Sequence, residues 1–194
     1  MYPKLVTAPE SEPITLAEFK AHIDYSASDR DDYQNALITT AREYCEKCTR
    51  RSLYTQTRQL SMDAFGGSLR VIELPYGPVQ SITSVVYVDE NGDSQTISAD
   101  NYQLDNNREP ARLAPARLCT WPSTDNETLA AVTITYVTGW DDTDNIPTGY
   151  KHAIKLLAAH WWEHPEAVTM EGTPHYVPMT VRLLMDLENQ NFYG

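Results

Sequence analysis

Long hydrophobic runs are missing from this chain. No stretch approaches the roughly 18 consecutive apolar residues that a membrane-spanning helix needs, and the N-terminal MYPKLVTAPE has no apolar segment of the secretory-signal kind. The expectation is a soluble protein made in the cytoplasm, with no membrane partner. Cations are scarce too: 15 Lys and Arg stand against 27 Asp and Glu, a formal net charge of -12. Sequence-independent binding to nucleic acid is driven by Lys and Arg displacing phosphate counterions, so this composition argues against that class. An acidic surface that repels DNA is a different use of charge and stays open. Cysteine is nearly absent, with Cys45, Cys48 and Cys119 as an odd set that fits reduced thiols. Cys45 and Cys48 have the CxxC spacing of redox and zinc sites. They fall late in an expected helix, where the dipole disfavours a thiolate, and no second CxxC lies nearby, so they read as inert. The chain also lacks G-x-S-x-G, Walker A and G-x-G-x-x-G, which leaves nucleophile-elbow and phosphate-cradle chemistry without support.

What is present is 194 residues at 41% apolar composition, enough for one ordinary domain or for a helical domain carrying a β insertion. Residues 1–13 hold three prolines and read as an extended arm. Thr15 and Glu18 form a capping box ahead of Leu16, Phe19 and Ile23, which predicts a short helix ending near Asp24. Ser28, Asp29, Asp31 and Asp32 signal the start of a second helix over 30–51. Its apolar face is expected at Tyr33, Leu37, Thr40, Ala41, Tyr44 and Cys48, with Asn35, Thr39, Arg42 and Glu46 outward and Arg50 and Arg51 at the end its dipole prefers. From Leu53 the period changes to short β-rich runs, at 53–63, 71–74, 81–88, 94–98 and 102–105, with a hairpin connection at Glu90 to Asp93. Residues 112–121 are expected to be irregular, since Pro115 argues against a central strand. The best strand is 131–140, where Val132, Ile134, Tyr136 and Trp140 alternate with Thr133, Thr135 and Gly139.

A long helix follows from Pro147 to a stop at Pro165, with Tyr150, Ala153, Ile154, Leu157, Trp161 and His164 on one side and Lys151, Lys155 and Trp162 on another. Pro178 opens a last helix with Val181, Leu184 and Met185 or Leu187 as its stripe. The fold class is therefore α+β, a small helical bundle core with a β-rich insertion between the second and third main helices. Residues 1–52 supply the arm and first core helices, 53–145 the insertion, and 146–194 the C-terminal helices and tail.

One catalytic pattern needs weighing. His160, Trp161, Trp162, Glu163 and His164 spell H-x-x-E-H, in which two imidazoles at i and i+4 can share a metal and the Glu can serve as base. Catalytic zinc also needs a third ligand, and Glu166, Glu171, His175, Asp186 and Glu188 complete no recognisable frame. A zinc-dependent hydrolase using this motif is the alternative function; imidazoles stabilised by the negative end of a helix are the plainer reading. Asp29, Asp31 and Asp32, and likewise Asp141, Asp142 and Asp144, read as capping or solvated loop carboxylates rather than cation sites. An exposed Trp162 beside Lys151 and Lys155 makes these three candidates for an oligomer interface, against the alternative that Trp162 packs under the β-rich region of its own chain.

The segments ITLAEFKAHI (14–23), AREYCEKCTRRSLYTQT (41–57), IELPYGPVQSITSVVYVDENG (72–92), VTITYVTGW (132–140) and IPTGYKHAIKLLAAHWWEHPEAV (146–168) occur in an order that resembles the tailed-phage head-to-tail connectors, the head-completion or adaptor family. The resemblance covers most of the chain, and its motifs are structural. It implies a virion protein assembled in the host cytoplasm, a homo-oligomeric ring of about twelve copies between the portal protein and a tail-side completion protein. It implies no catalytic residue, metal or cofactor, and a conduit whose acidic wall lets DNA pass without specific binding. The resemblance implies portal engagement by the loop after Pro165 and the final helix, and Tyr176, Phe192 and Tyr193 become candidates for docking to portal or tail.

Overall fold

Thr15 starts the first helix by satisfying two backbone donors at once. In the computed structural model, which describes residues 3–165 and 179–190, its hydroxyl accepts the Glu18 N–H at 3.2 Å. The Glu18 carboxylate accepts the Thr15 N–H at 2.8 Å, closing a capping box that opens α1, Leu16–His22. Asp24, just past its end, takes a left-handed φ of 52° that turns the chain toward α2, Asp31–Thr49. The α2 cap is Arg30, with no side-chain cap bond, so Ser28 does not play the part its residue type suggested. Asp31 and Asp32 occupy the first turn, where the helix dipole favours their charge.

The inward face of α2 is turned from the one its apolar spacing indicates. Gln34, Leu37, Ile38, Ala41, Arg42, Cys45, Glu46 and Thr49 are buried, while Tyr33 and Cys48 are exposed. Arg42 and Glu46, expected in solvent, are each only 3% exposed. Burial of these charges is tolerable because they match one another. Arg42 Nε donates to Glu12 Oε2 at 2.8 Å and Nη1 to Glu46 Oε2 at 3.1 Å, while Glu46 Oε1 accepts the Leu53 N–H at 2.8 Å. Thr39 donates to the second Glu12 oxygen at 2.8 Å. Arg51 is buried as well rather than standing at the helix end, and Arg50 forms the left-handed cap with φ 55°.

Helix α3, Thr148–Glu163, begins after Pro147 and ends before Pro165, and α4 is Met179–Gln190. Gly149 permits their close approach: a Cβ there would lie 2.8 Å from Glu188 Cγ. Phe19, Ile38, Ala41, Tyr150, Ile154, Leu157, Val181 and Met185 form the centre of one core. That core belongs to a compact unit made of Ser11–Tyr54 and the chain from Trp140 onward.

The second unit comprises the first ten residues and Thr55–Gly139. Its strands are β1 (Lys4–Thr7), β2 (Gln56–Met62), β3 (Ile72–Leu74), β4 (Val79–Val88), β5 (Ser94–Thr96), β6 (Tyr102–Asp105), β7 (Ala111–Pro115) and β8 (Val132–Thr138). They form two antiparallel sheets, ordered β1-β2-β8-β4-β5 and β3-β7-β6. The fold is α+β, as the pattern of periods indicates. Two expectations change. The N-terminal arm, grouped by sequence with the helices, is an edge strand paired to β2 and belongs to the sheet unit. The first part of 112–121, expected to be irregular, instead belongs to β7, Ala111–Pro115, the middle strand of the small sheet. Pro115 is compatible with that place because β3 pairs only as far as Leu113, so the ladder on that side has already ended.

Strand β8 is central and alternates buried and half-buried residues along its whole length, as its sequence pattern demands. The buried Tyr136 hydroxyl donates to the Pro75 carbonyl at 2.7 Å, and Thr138 donates to the Tyr76 and Pro78 carbonyls, tying the PYGP turn to the sheet. Phe65 stacks on Trp121 at 4.8 Å between ring centroids, within a core shared with Leu60, Leu74, Val85, Leu113 and Ile134. At the β4–β5 hairpin, Gly92 supplies a φ of +86° and the Asp89 carboxylate accepts the N–H groups of Asn91 and Asp93.

Arg42→Met should destabilise the chain by about 3–5 kcal/mol in urea unfolding, because it leaves Glu46 buried without its guanidinium. Lys47→Met, on the exposed side of the same helix, should change stability by no more than about 0.5 kcal/mol. Equal effects would contradict the buried-cluster account.

Candidate interaction surfaces

The end of α3 gathers the most unusual side chains of the helical unit. Trp161 and Trp162 are both half-buried against its core. Trp161 meets Tyr44 edge-on at 6.3 Å between centroids. Trp162 meets Tyr25 at 5.1 Å and Tyr33 at 5.9 Å, with the Arg30 guanidinium 5.6 Å above its ring. The residue expected to face outward is thus part of an aromatic shelf of its own chain, of which Tyr33 is the more open member. Lys155, on the same α3 face, donates to Glu18 Oε1 at 3.2 Å, and Lys151 is half-buried. The face carrying Lys151, Lys155 and Trp162 therefore already holds α1 and the turn after it. The sequence did not signal this cover, because Glu18 and Tyr25 lie more than 120 residues away along the chain. The docking candidates Tyr176, Phe192 and Tyr193 lie outside the described residues.

His160 and His164 pack edge-on with ring centroids 5.2 Å apart at the C-terminal end of α3. Among the described residues no group of three or more His, Cys, Asp and Glu side chains could hold a metal. Glu188 packs beside Gly149, eleven residues earlier on α3 than His160, which is about 16 Å along the helix axis and beyond shared coordination. Glu166, Glu171 and His175 lie outside the described residues. The acidic runs have internal partners: Asp29 accepts the Tyr25 hydroxyl at 2.5 Å, Asp31 pairs with Lys20, Asp142 accepts the Asp144 N–H at 3.0 Å, and Asp141 accepts the Asn145 amide at 3.0 Å. The Tyr25 hydroxyl holds the Asp29 carboxyl below its ordinary range, and the Asn145 amide does the same for Asp141. Burial pushes the Cys45 thiol up to about 12, whereas Cys48 is exposed, so the CxxC spacing brings together two thiols with opposite accessibility.

No protein-family model and no curated protein sequence matches the chain. Three similar solved structures come from gene transfer agent (GTA) particles. One is the neck of an empty particle computed with C6 symmetry, at TM-score 0.74 and 23% identity. The second is the virion of the native particle, at TM-score 0.73 and 22% identity, and the third is the neck of the native particle computed with C12 symmetry, at TM-score 0.71 and 22% identity. Each likeness covers 96% of this chain and 94% of the other.

Two measurements check the local chemistry. A thiol reagent applied to the native chain should modify Cys48 and leave Cys45 untouched until denaturant is added; early labelling of Cys45, read by mass spectrometry, would refute its burial. The Glu18 carboxyl is held below its ordinary pKa, first by the Thr15 N–H and further by Lys155. Its stabilisation is complete above that ordinary value and is lost as pH falls through the lowered one. In a Tm-versus-pH series Glu18→Gln should therefore flatten the acid limb, and an acid limb identical to wild type would count against this coupling.

Proposed function

We propose that this chain is a structural neck protein of a phage-like particle, a head-to-tail connector subunit that forms a ring between portal and tail components. The observation that carries the reading is the fold shared with gene transfer agent neck structures over 96% of the chain. The C6 and C12 symmetry with which those necks were computed supports a closed ring of identical copies here. The net charge of -12 suits a conduit wall that repels phosphate and lets the genome slide without specific binding. In this reading the protein belongs to the virion, is assembled in the host cytoplasm, and carries out no catalysis. The portal and a tail-side completion protein are its neighbours, with Tyr176, Phe192 and Tyr193 as docking residues. Lys151, Lys155 and the open edge of Trp162 border a contact with a neighbouring copy.

Electron microscopy of the purified chain, alone and on purified portal, together with microscopy of particles, should show rings at the head–tail junction. A strict monomer that is absent from particles would overturn the proposal. Metal analysis separates it from the zinc-hydrolase alternative: stoichiometric zinc that disappears in His160→Ala together with folding or hydrolytic activity would favour the enzyme.

A further inference from the structure

Helix α4 carries more apolar surface than its own core consumes. Val181 and Met185 are buried and Leu184 packs partly against the core. Met179, Leu183 and Leu187 are 86%, 57% and 51% exposed. Their spacing of four residues sets them in one row, roughly opposite the buried stripe. Isolated exposed leucines are common, but a continuous row along a short helix is the pattern of a packing ridge, and among the described residues this one has no groove. Arg182 and Asp186 lie on one flank of this row.

The same helical unit offers a surface of complementary character. Tyr25, Tyr33 and Trp162 form the aromatic shelf described above, and Tyr33 is 42% exposed. Arg30 lies over Trp162, and Asp29 and Asp32 are exposed beside it. Each surface thus has an apolar centre and a rim of both signs, with Arg182 available to a carboxylate and Asp186 to a guanidinium. Rotational rings require this arrangement: a head-to-tail contact joins two different patches of each copy, whereas one patch meeting its own copy closes a dimer. Copies that each carry a charge of -12 repel one another at long range, so burial of apolar side chains and local opposite charges must supply the contact.

We infer that the Met179, Leu183 and Leu187 ridge of one copy seats on the Tyr25, Tyr33 and Trp162 shelf of the next copy, with Arg182 meeting Asp29 or Asp32 and Asp186 meeting Arg30. The inference rests on the ring reading and names the contact that closes it.

The test uses the full chain with Cys48 and Cys119 replaced by serine. Leu183→Cys combined with Tyr33→Cys should give a disulfide-linked ladder of oligomers on oxidation, while either cysteine alone gives no ladder. Leu183→Glu should keep the wild-type Tm and circular dichroism and lose ring formation by at least ten-fold in the concentration required. Asp186→Arg should weaken assembly, and adding Arg30→Asp should restore it toward wild type. Rings that persist in Leu183→Glu, or a ring-forming double-cysteine chain without a ladder, overturn the contact and leave the ring reading intact. So does a dimer formed by Leu183→Cys alone, which assigns the ridge to its own symmetry mate. Leu183→Glu rings that no longer join particles assign the ridge to another virion protein and also overturn the contact. A wild-type chain that forms no ring, either alone or on particles, overturns the ring reading and this contact with it.

Discussion

The helical unit is organised around a guanidinium that water cannot reach. Arg42 is held by Glu46 one turn later on its own helix and by Glu12 from the segment before α1, and the other oxygen of Glu46 accepts the Leu53 N–H as the chain leaves α2. The cluster therefore fixes which face of α2 turns inward and anchors the chain on both sides of that helix. A buried charge without its partner costs several kcal/mol, so any register of α2 that separates these groups is penalised far more than a misplaced methyl group. The apolar packing of Phe19, Ile38, Ile154, Leu157 and Val181 supplies the bulk of the burial around it. The ion cluster supplies orientation.

The sheet unit solves a different problem. Its segments are short, and several are too irregular to pack alone, so its order rests on β8, which has a paired strand on each side. Tyr136 and Thr138 on β8 bind the carbonyls of the PYGP turn, and this joins the beginning of β4 to the centre of the sheet. The N-terminal strand completes one edge by pairing with β2, which means the first ten residues and a segment beginning about fifty residues later fold together.

The H-x-x-E-H pattern places two imidazoles together at a helix end, yet among the described residues no group of three or more His, Cys, Asp and Glu side chains could hold a metal. Among the described residues of the helical unit, Tyr33 beside Trp162 and the outward row on α4 keep large apolar side chains exposed. In the ring proposed above, affinity between acidic copies would come from shape and apolar burial.

Several local signals were legible in the sequence, although the Ser28 cap was not among them. Thr15 and Glu18 announced their capping box, Pro147 and Pro165 bracketed α3, Asn91 and Gly92 marked the hairpin, and the alternation in 132–138 identified a strand with one buried face, because each depends on neighbours within a few residues. The α+β class followed from the change of period at Leu53. What the sequence could not reveal depended on partners far along the chain. Arg42 and Glu46 read as a solvated face until Glu12 and Leu53 are brought beside them. Trp162 read as an outward anchor until Tyr25, Tyr33 and Arg30 cover part of it, and Pro115 argued against a strand until β3 stops two residues before it. Periodicity reports which side of an element is apolar, whereas only the tertiary structure decides which polar groups find a partner that makes their burial affordable.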